Sequence, residues 1–294
     1  MKIFSCILLL LCVSVSSGAN EPDEVSQDEV SIERQKYTCG TEKLQGVKFN
    51  FCYRNQEATN NNDIVYFFHG LNGSEDTWFT QCLGTLMIQR WWQFKGYKPR
   101  IVGISFGPSW LLVNNKRFPI LPLFAKGIIP LMEKKMGGLN GGRRHIIGQS
   151  MGGFNGAEIA LQYPEMFSRV ALLCPAITAV GPYSSNQEID NYIYRTHAIP
   201  RLVRKMLSIS RSIFLNQKDW ENHDPIRLLK NFKGKKKPKF YVSIGIWDSY
   251  GFQEGAEEFS ALASAMDFFS SWVPVPGPHC NFNRRATANF IMGD

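Results

Sequence analysis

Near the middle of the 294-residue chain a short apolar run, His145–Ile147, passes into Gly148-Gln149-Ser150-Met151-Gly152, and a helical pattern starts at once. A serine in a G-x-S-x-G turn between strand and helix has the form of a nucleophile elbow. The turn is strained and holds the hydroxyl out. Its glycines let the strand and helix backbones approach where side chains would clash. The helix start adds free N–H groups that favour an anion beside Ser150. The five-residue pattern alone is expected about 0.16 times by chance in a chain of this composition. Its weight comes from the extra Gly153 and the strand–helix context.

A hydroxyl is a weak nucleophile and needs a base. In elbow enzymes the chain order is serine, then acid, then histidine. Three histidines follow Ser150: His197, His223 and His279. His279, in VPVPGPHCNF, comes just after the last strand-like run, where parallel sheets place their sites. It is the expected base. The acid should follow the penultimate strand, and KFYVSIGIWDSYG puts Asp248 there, to hold the His279 tautomer and stabilise the imidazolium. The rival is Asp224 in NHDPIR, whose structural alternative is a helix N-cap. The oxyanion hole needs two backbone N–H donors. Met151 supplies one, as the residue after the nucleophile. Leu71 supplies the other, in a Gly/Asn turn after the apolar strand of IVYFFHGLNGSEDTW. His69 is read as a support for that loop rather than as the base.

Regular elements must carry these loops. Short β-rich runs occupy Val47–Tyr53, Ile64–Phe68, Arg100–Ser105, His145–Ile147, Val170–Leu173, Phe240–Ile246 and Trp272–Val275. Several are almost continuously apolar, as parallel strands covered on both faces should be. Helical patterns lie between them at Leu83–Phe94, Phe124–Lys135, Met151–Tyr163, Gly255–Phe269 and Arg285–Ile291. The alternation predicts an α/β domain over residues 36–294 with a mostly parallel sheet flanked by helices. Residues 178–225 are polar, rich in Tyr, Asn and Ile, and break the rhythm as an insertion or cap.

The segment GQSMGGFNGAEIALQYPEMFSRVALLCPA resembles the S-M-G-G segment of the esterase D-like α/β-hydrolases, a family of esterases and acyltransferases. HGLNGSEDTW is similar to that family's His-Gly loop, FGPSW to its aromatic loop, WDSYGFQEGAEEF to its acid loop and PGPHCNFNR to its histidine loop. The resemblance runs from about residue 60 to 292, with 178–238 unmatched. It implies an α/β-hydrolase fold, the triad Ser150, Asp248 and His279, and the oxyanion donors Leu71 and Met151. It also implies that Trp110 stands near the acyl pocket. The chain departs from the family at His279, which Pro278 and Cys280 flank.

Composition narrows the setting. Met1-Lys2, an apolar run from Ile3 to Val15 and the small residues Ser16–Ala19 have the layout of a signal peptide over residues 1–19. Residues 20–35 are acidic and sparse in apolar side chains, as a disordered linker is. Residues 1–35 carry a net charge of −4, so the +8 of the whole chain leaves +12 on the rest. Five cysteines follow the leader, at 39, 52, 82, 174 and 280. Export would pair some of them. Cys39 and Cys52 flank a possible hairpin and are the best pair, and an odd number leaves at least one thiol unpaired or bonded to another chain. Lys230–Lys239 is a dense basic run, read first as a solvated loop and second as an attraction to anionic surfaces. The Asn72-Gly73-Ser74 sequon lies in the proposed oxyanion loop, where a glycan would obstruct the site. No His/Cys metal spacing, cofactor fingerprint or nucleic-acid motif is present.

The expectation is a secreted or periplasmic serine carboxylic-ester hydrolase acting on a small-molecule, saccharide or lipid ester. Two alternatives stand beside it: an acyltransferase using the same triad, and a catalytically inactive binding protein on a hydrolase scaffold.

Overall fold

In the computed structural model of the chain, the described residues are 37–54, 61–80 and 84–293. The expected leader and acidic linker lie outside them, as does Cys82. Eight strands form one sheet: β1 (Thr38–Leu44), β2 (Val47–Arg54), β3 (Ile64–Phe68), β4 (Arg100–Ser105), β5 (Arg144–Gln149), β6 (Arg169–Leu173), β7 (Lys239–Gly245) and β8 (Ser270–Val275). Their spatial order is β1-β2-β4-β3-β5-β6-β7-β8. The β1–β2 and β2–β4 pairs are antiparallel, and every pair from β4 to β8 is parallel. The structure thus has the expected fold class.

The antiparallel edge starts with a tight hairpin. Gln45 and Gly46 both have positive φ, 47° and 84°, as a two-residue turn matched to strand twist requires. The turn sets Cys39 opposite Cys52 in the ladder, and the two are disulfide-bonded. β1 extends beyond the expected strands because its mixed sequence, TCGTEKL, has no apolar run.

Successive strand residues face opposite sides, and the sheet has two cores. One holds Tyr66, Phe68, Ile146, Leu172 and Val242; the other holds Val65, Phe67, Ile147, Ala171 and Tyr241. Helices α1 (Thr77–Thr80) and α2 (Gly84–Phe94) precede β4. α2 buries Ile88 and Trp92 in the second core, beside the last helix, α11 (Arg284–Met292). Before β5 the chain forms α3 (Ile120–Leu123), a π-helical turn (Phe124–Ile128) and α4 (Ile129–Lys135), all packed on the first core. α5 (Met151–Gln162) follows β5 and is buried on nearly every side.

Between β6 and β7 lie α6 (Asn186–Thr196), α7 (Pro200–Ile213), α8 (Gln217–Glu221) and α9 (Pro225–Lys230). The interrupting segment 178–225 is therefore a helical cap. It has a small core of its own from Val180, Ile189, Tyr192, Ala198, Val203 and Leu207. α10 (Phe252–Ala265) links β7 to β8. It starts three residues before the expected Gly255, because Gly251 at φ 79° already caps it. No helix among the described residues is long and apolar enough to cross a membrane.

Candidate active site

The loops after β3, β5, β6, β7 and β8 leave the C-terminal ends of parallel strands, where open α/β sheets bind ligands. Ser150 stands between β5 and α5 with φ 54° and ψ −115°, a conformation costly for a residue with a side chain. Backbone bonds hold it there. Its N–H donates to Leu173 O at 2.9 Å, and its carbonyl accepts from Gly153 N at 2.8 Å and Ala176 N at 2.9 Å. The close approach is literal. A Cβ on Gly148 would fall 2.2 Å from Gly152 O, and one on Gly152 would fall 2.0 Å from Phe68 O. The turn therefore demands glycine on both sides of Ser150.

His279 Nε2 lies 3.0 Å from Ser150 Oγ, and His279 Nδ1 lies 2.6 Å from Asp248 Oδ2. A carboxylate only accepts, so the Nδ1–H donates to Asp248 and Nε2 is left to accept from the Ser150 hydroxyl. Asp248 is buried, and its Oδ1 accepts from Tyr250 N at 2.8 Å. Both carboxylate oxygens are thereby held. The rings of Tyr250 and Phe252 flank the imidazole, with centroids 4.8 and 5.5 Å away. The three residues expected as nucleophile, acid and base are brought together. The other candidates are not joined to them. His197 is an exposed helix C-cap. His223 is buried against Glu158. Asp224 accepts from Arg227 N at 3.3 Å as the N-cap of α9, and burial pushes its carboxyl up to about 6.

The unusual flank of His279 has a structural cause. Cys280, at φ 64°, is disulfide-bonded to Cys174, at φ 42°, one residue past the end of β6. The bond ties the histidine loop to the strand beside the elbow. In the sequence its only signal is a cysteine next to the base. Cys174, His279 and Cys280 also form a cluster of metal-ligand types, but the disulfide occupies both sulfurs.

The N–H groups of Leu71 and Met151 have no acceptor among the described residues, and both residues line the cavity that contains Ser150. Behind Leu71, His69 is fully buried, and burial pushes its imidazole below the ordinary histidine value. Neutral, it donates from Nδ1 to Gly70 O at 2.7 Å, while Nε2 accepts from Trp110 Nε1 at 2.9 Å. His69 supports the loop, as expected. Trp110 stands just behind the wall of the cavity, its backbone N–H donating to Met151 Sδ at 3.3 Å. Its indole is spent on His69 and packs against Phe68 and Phe106. Its neighbours Ser109 and Leu111 line the cavity instead. Asn155 of α5 fixes this segment, accepting from Leu112 N and donating to Trp110 O.

The cavity encloses about 1000 Å³ of empty space, open solvent at its mouth included. The sheet loops give it Leu71, Ser150 and Met151, and α7 roofs it with Leu202, Met206 and Ile209. Asn72 also lines it, so a glycan on the sequon would stand in the cavity. The cap is anchored to the acid loop: Ile199 N donates to Ser249 O at 2.9 Å, and Tyr192 Oη donates to Tyr250 O at 2.9 Å. The basic run at 230–239 ends where β7 begins, at the opposite end of that strand from Asp248. Its Lys236 and Lys237 donate to the backbone carbonyls of Glu165 and Met266.

The comparisons with known proteins bear on the family and the fold. Residues 123–273 match the family described as "Putative esterase", a span that holds Ser150 and Asp248 and stops short of His279. A ferulic acid esterase superposes with a TM-score of 0.63 at 15% identity, covering 88% of this chain and 95% of that one. A thermostable esterase from Pseudomonas putida superposes with a TM-score of 0.59 at 17% identity, over 85% of this chain and 76% of that one. A 2-hydroxy-6-oxononadienedioate/2-hydroxy-6-oxononatrienedioate hydrolase from a Pseudomonas species is 25% identical over 160 residues, which span 52% of this chain and 52% of that relative. The matched region is thus about half the length of that curated relative. With a family match over half of its length and an α/β-hydrolase sheet beneath the elbow, the chain belongs to the Putative esterase family.

Proposed function

We propose that the protein is a serine carboxylic-ester hydrolase that works through an acyl-enzyme on Ser150. The observation that carries the reading is the continuous relay from Asp248 Oδ2 through His279 to Ser150 Oγ, at 2.6 and 3.0 Å. His279 takes the hydroxyl proton as Ser150 Oγ attacks the ester carbonyl. The tetrahedral oxyanion is met by the Leu71 and Met151 amides, which need no reorganisation to receive it. His279 then passes the proton to the departing alcohol. Water, deprotonated by the same imidazole, releases the acid. Asp248 keeps Nδ1 protonated throughout, so Nε2 is always the atom that faces the reaction.

Ester hydrolysis followed in a pH-stat tests this directly. The wild-type protein should hydrolyse short-chain esters such as p-nitrophenyl acetate, and Ser150→Ala should lose at least about 10⁴-fold in kcat. Alcohol added as a competing acceptor reports on acyl transfer: hydrolysis predicts free acid as the main product. Failure of the wild type to turn over any ester of a broad panel would favour the inactive binding protein.

We also propose that the protein is exported, to the periplasm or the medium. The signal-like leader supports this, as do two disulfides among the described residues, since such bonds persist in oxidising compartments. Cell fractionation with N-terminal sequencing of the mature chain tests it, with a start at residue 19 or 20 expected from the sequence.

A further inference from the structure

We infer that the cavity beneath the cap is an acyl-chain site, and that the preferred substrates are esters of unbranched apolar acids of about octanoyl length or longer. The inference rests on the hydrolase reading and deepens it. Its first support is direction. The cavity is lined by the nucleophile Ser150 and by both oxyanion residues, Leu71 and Met151; on the histidine side only Tyr250 and Phe252, the rings beside the imidazole, reach it, and most of its lining comes from the cap. The leaving oxygen must take its proton from His279 Nε2, so the alcohol side of the ester lies toward the histidine. The part of the cavity beneath α7 is left for the acyl side.

The second support is lining. On α7, Leu202, Met206, Ile209 and Ile213 recur at spacings of three and four residues, so one stripe of the helix roofs the cavity. Phe214 and Trp220 continue the apolar wall beyond it. Three polar groups on the cap side of the wall are occupied, whereas Asn72, Ser109 and Tyr250 stand on the side of the catalytic loops. Thr178 Oγ1 donates to Val180 O, Asp224 caps α9, and Ser210 Oγ sits against Met206 Sδ. Lys205 is exposed and belongs to the mouth. A hydroxylated or charged acyl group would lose water inside without gaining partners. A polymethylene chain loses nothing, and Met206 adapts to its bends. The third support is that the stripe belongs to the cap and is built on the cap's own core of Val203 and Leu207. The specificity is therefore a property of this insertion.

A pair of constitutional isomers separates the acyl from the alcohol side at constant hydrophobicity: ethyl octanoate and octyl acetate, with ethyl acetate as the short reference. A buried methylene is worth up to about fourfold in kcat/KM. Ethyl octanoate should therefore exceed ethyl acetate and octyl acetate by about a hundredfold or more. In Met206→Trp, which fills the roof, the octanoate-to-acetate ratio should fall by at least about tenfold. Met206→Ala, which enlarges it, should move the preference toward ethyl dodecanoate. Octyl acetate turned over as fast as ethyl octanoate, ethyl ferulate turned over faster than it, or a ratio unmoved in both variants would overturn the inference while leaving the hydrolase reading intact. No turnover of ethyl acetate, together with no fluorophosphonate label on Ser150, would instead remove the hydrolase reading itself.

Discussion

The loops that carry Ser150, Asp248 and His279 hang from a rigid parallel sheet, whereas the segment that roofs the cavity is a set of helices with a core of its own. In the first region the reacting groups are held by main-chain bonds and a disulfide. Ser150 is fixed through four main-chain bonds, Asp248 through Tyr250 N, and the His279 loop through the Cys174–Cys280 bond. In the second, contact with the catalytic loops is made by a few bonds, such as Ile199 N to Ser249 O and Tyr192 Oη to Tyr250 O. The difference teaches that chemistry and selectivity are separately built here. Changes in the sheet loops should lower the rate on every ester, and changes in the cap should alter which ester is preferred.

The largest expected effect breaks the first region. Asp248→Asn keeps the shape but lets the imidazole take the wrong tautomer, and kcat should fall about 10⁴-fold on short and long esters alike. Asp224→Asn, a helix cap in the second region, should cost at most about 1 kcal/mol of stability and leave kcat within a few-fold. If the two variants trade places in a kinetic assay, the acid has been assigned to the wrong loop.

Next in size is the double change Cys174→Ser with Cys280→Ser. The bond closes a loop of 106 residues, and losing it should lower stability by about 2–4 kcal/mol. Because it borders His279, kcat should also fall, by about tenfold, with little change in selectivity between chain lengths. Removing Cys39–Cys52 in the same way should affect thermal stability and spare kcat. Equal kinetic effects from the two pairs would mean that Cys174–Cys280 does not position the histidine.

The smallest effect concerns the seam between the two regions. Glu158 of α5 and His223, just after α8, form a buried pair, with Asp219 Oδ1 3.6 Å from the histidine on the other side. Burial pushes the Glu158 carboxyl up to about 7, and the Glu158 partner holds His223 above its ordinary value although burial alone would lower it. Both groups bind protons more tightly folded than unfolded. The stability they contribute is therefore complete at low pH and declines as pH rises through about 7. Melting temperature should drop by a few degrees between pH 6 and pH 8.5, and by less in Glu158→Gln. A drop of the same size in that variant would show that the pair does not set the trend.

The same division explains what was legible in the sequence. The elbow could be read because strained backbone and close packing leave few choices of residue: Gly148 and Gly152 meet carbonyl oxygens within about 2 Å of any added Cβ. Asp248 and His279 could be read from chain order, since each follows a recognisable apolar strand. The direction of the Trp110 indole was not legible, because an aromatic residue near a site can either line the cavity or support the loop behind it. Only the position of the His69 ring decides between them. The Cys174–Cys280 pair was hidden because its partners are 106 residues apart and meet only through the order of strands in the sheet. Least legible was the cap. Its cavity stripe of Leu202, Met206 and Ile209 looks like any amphipathic helix until the fold shows that one apolar face meets Ser150.

The central claim is a covalent intermediate on Ser150. Intact-mass and peptide-mapping spectrometry after reaction with a fluorophosphonate measures it directly. A single adduct on the peptide that contains Ser150, formed with the wild type and abolished in both Ser150→Ala and His279→Ala, is the predicted result. An unmodified wild-type protein, or an adduct that persists in Ser150→Ala, would contradict the account.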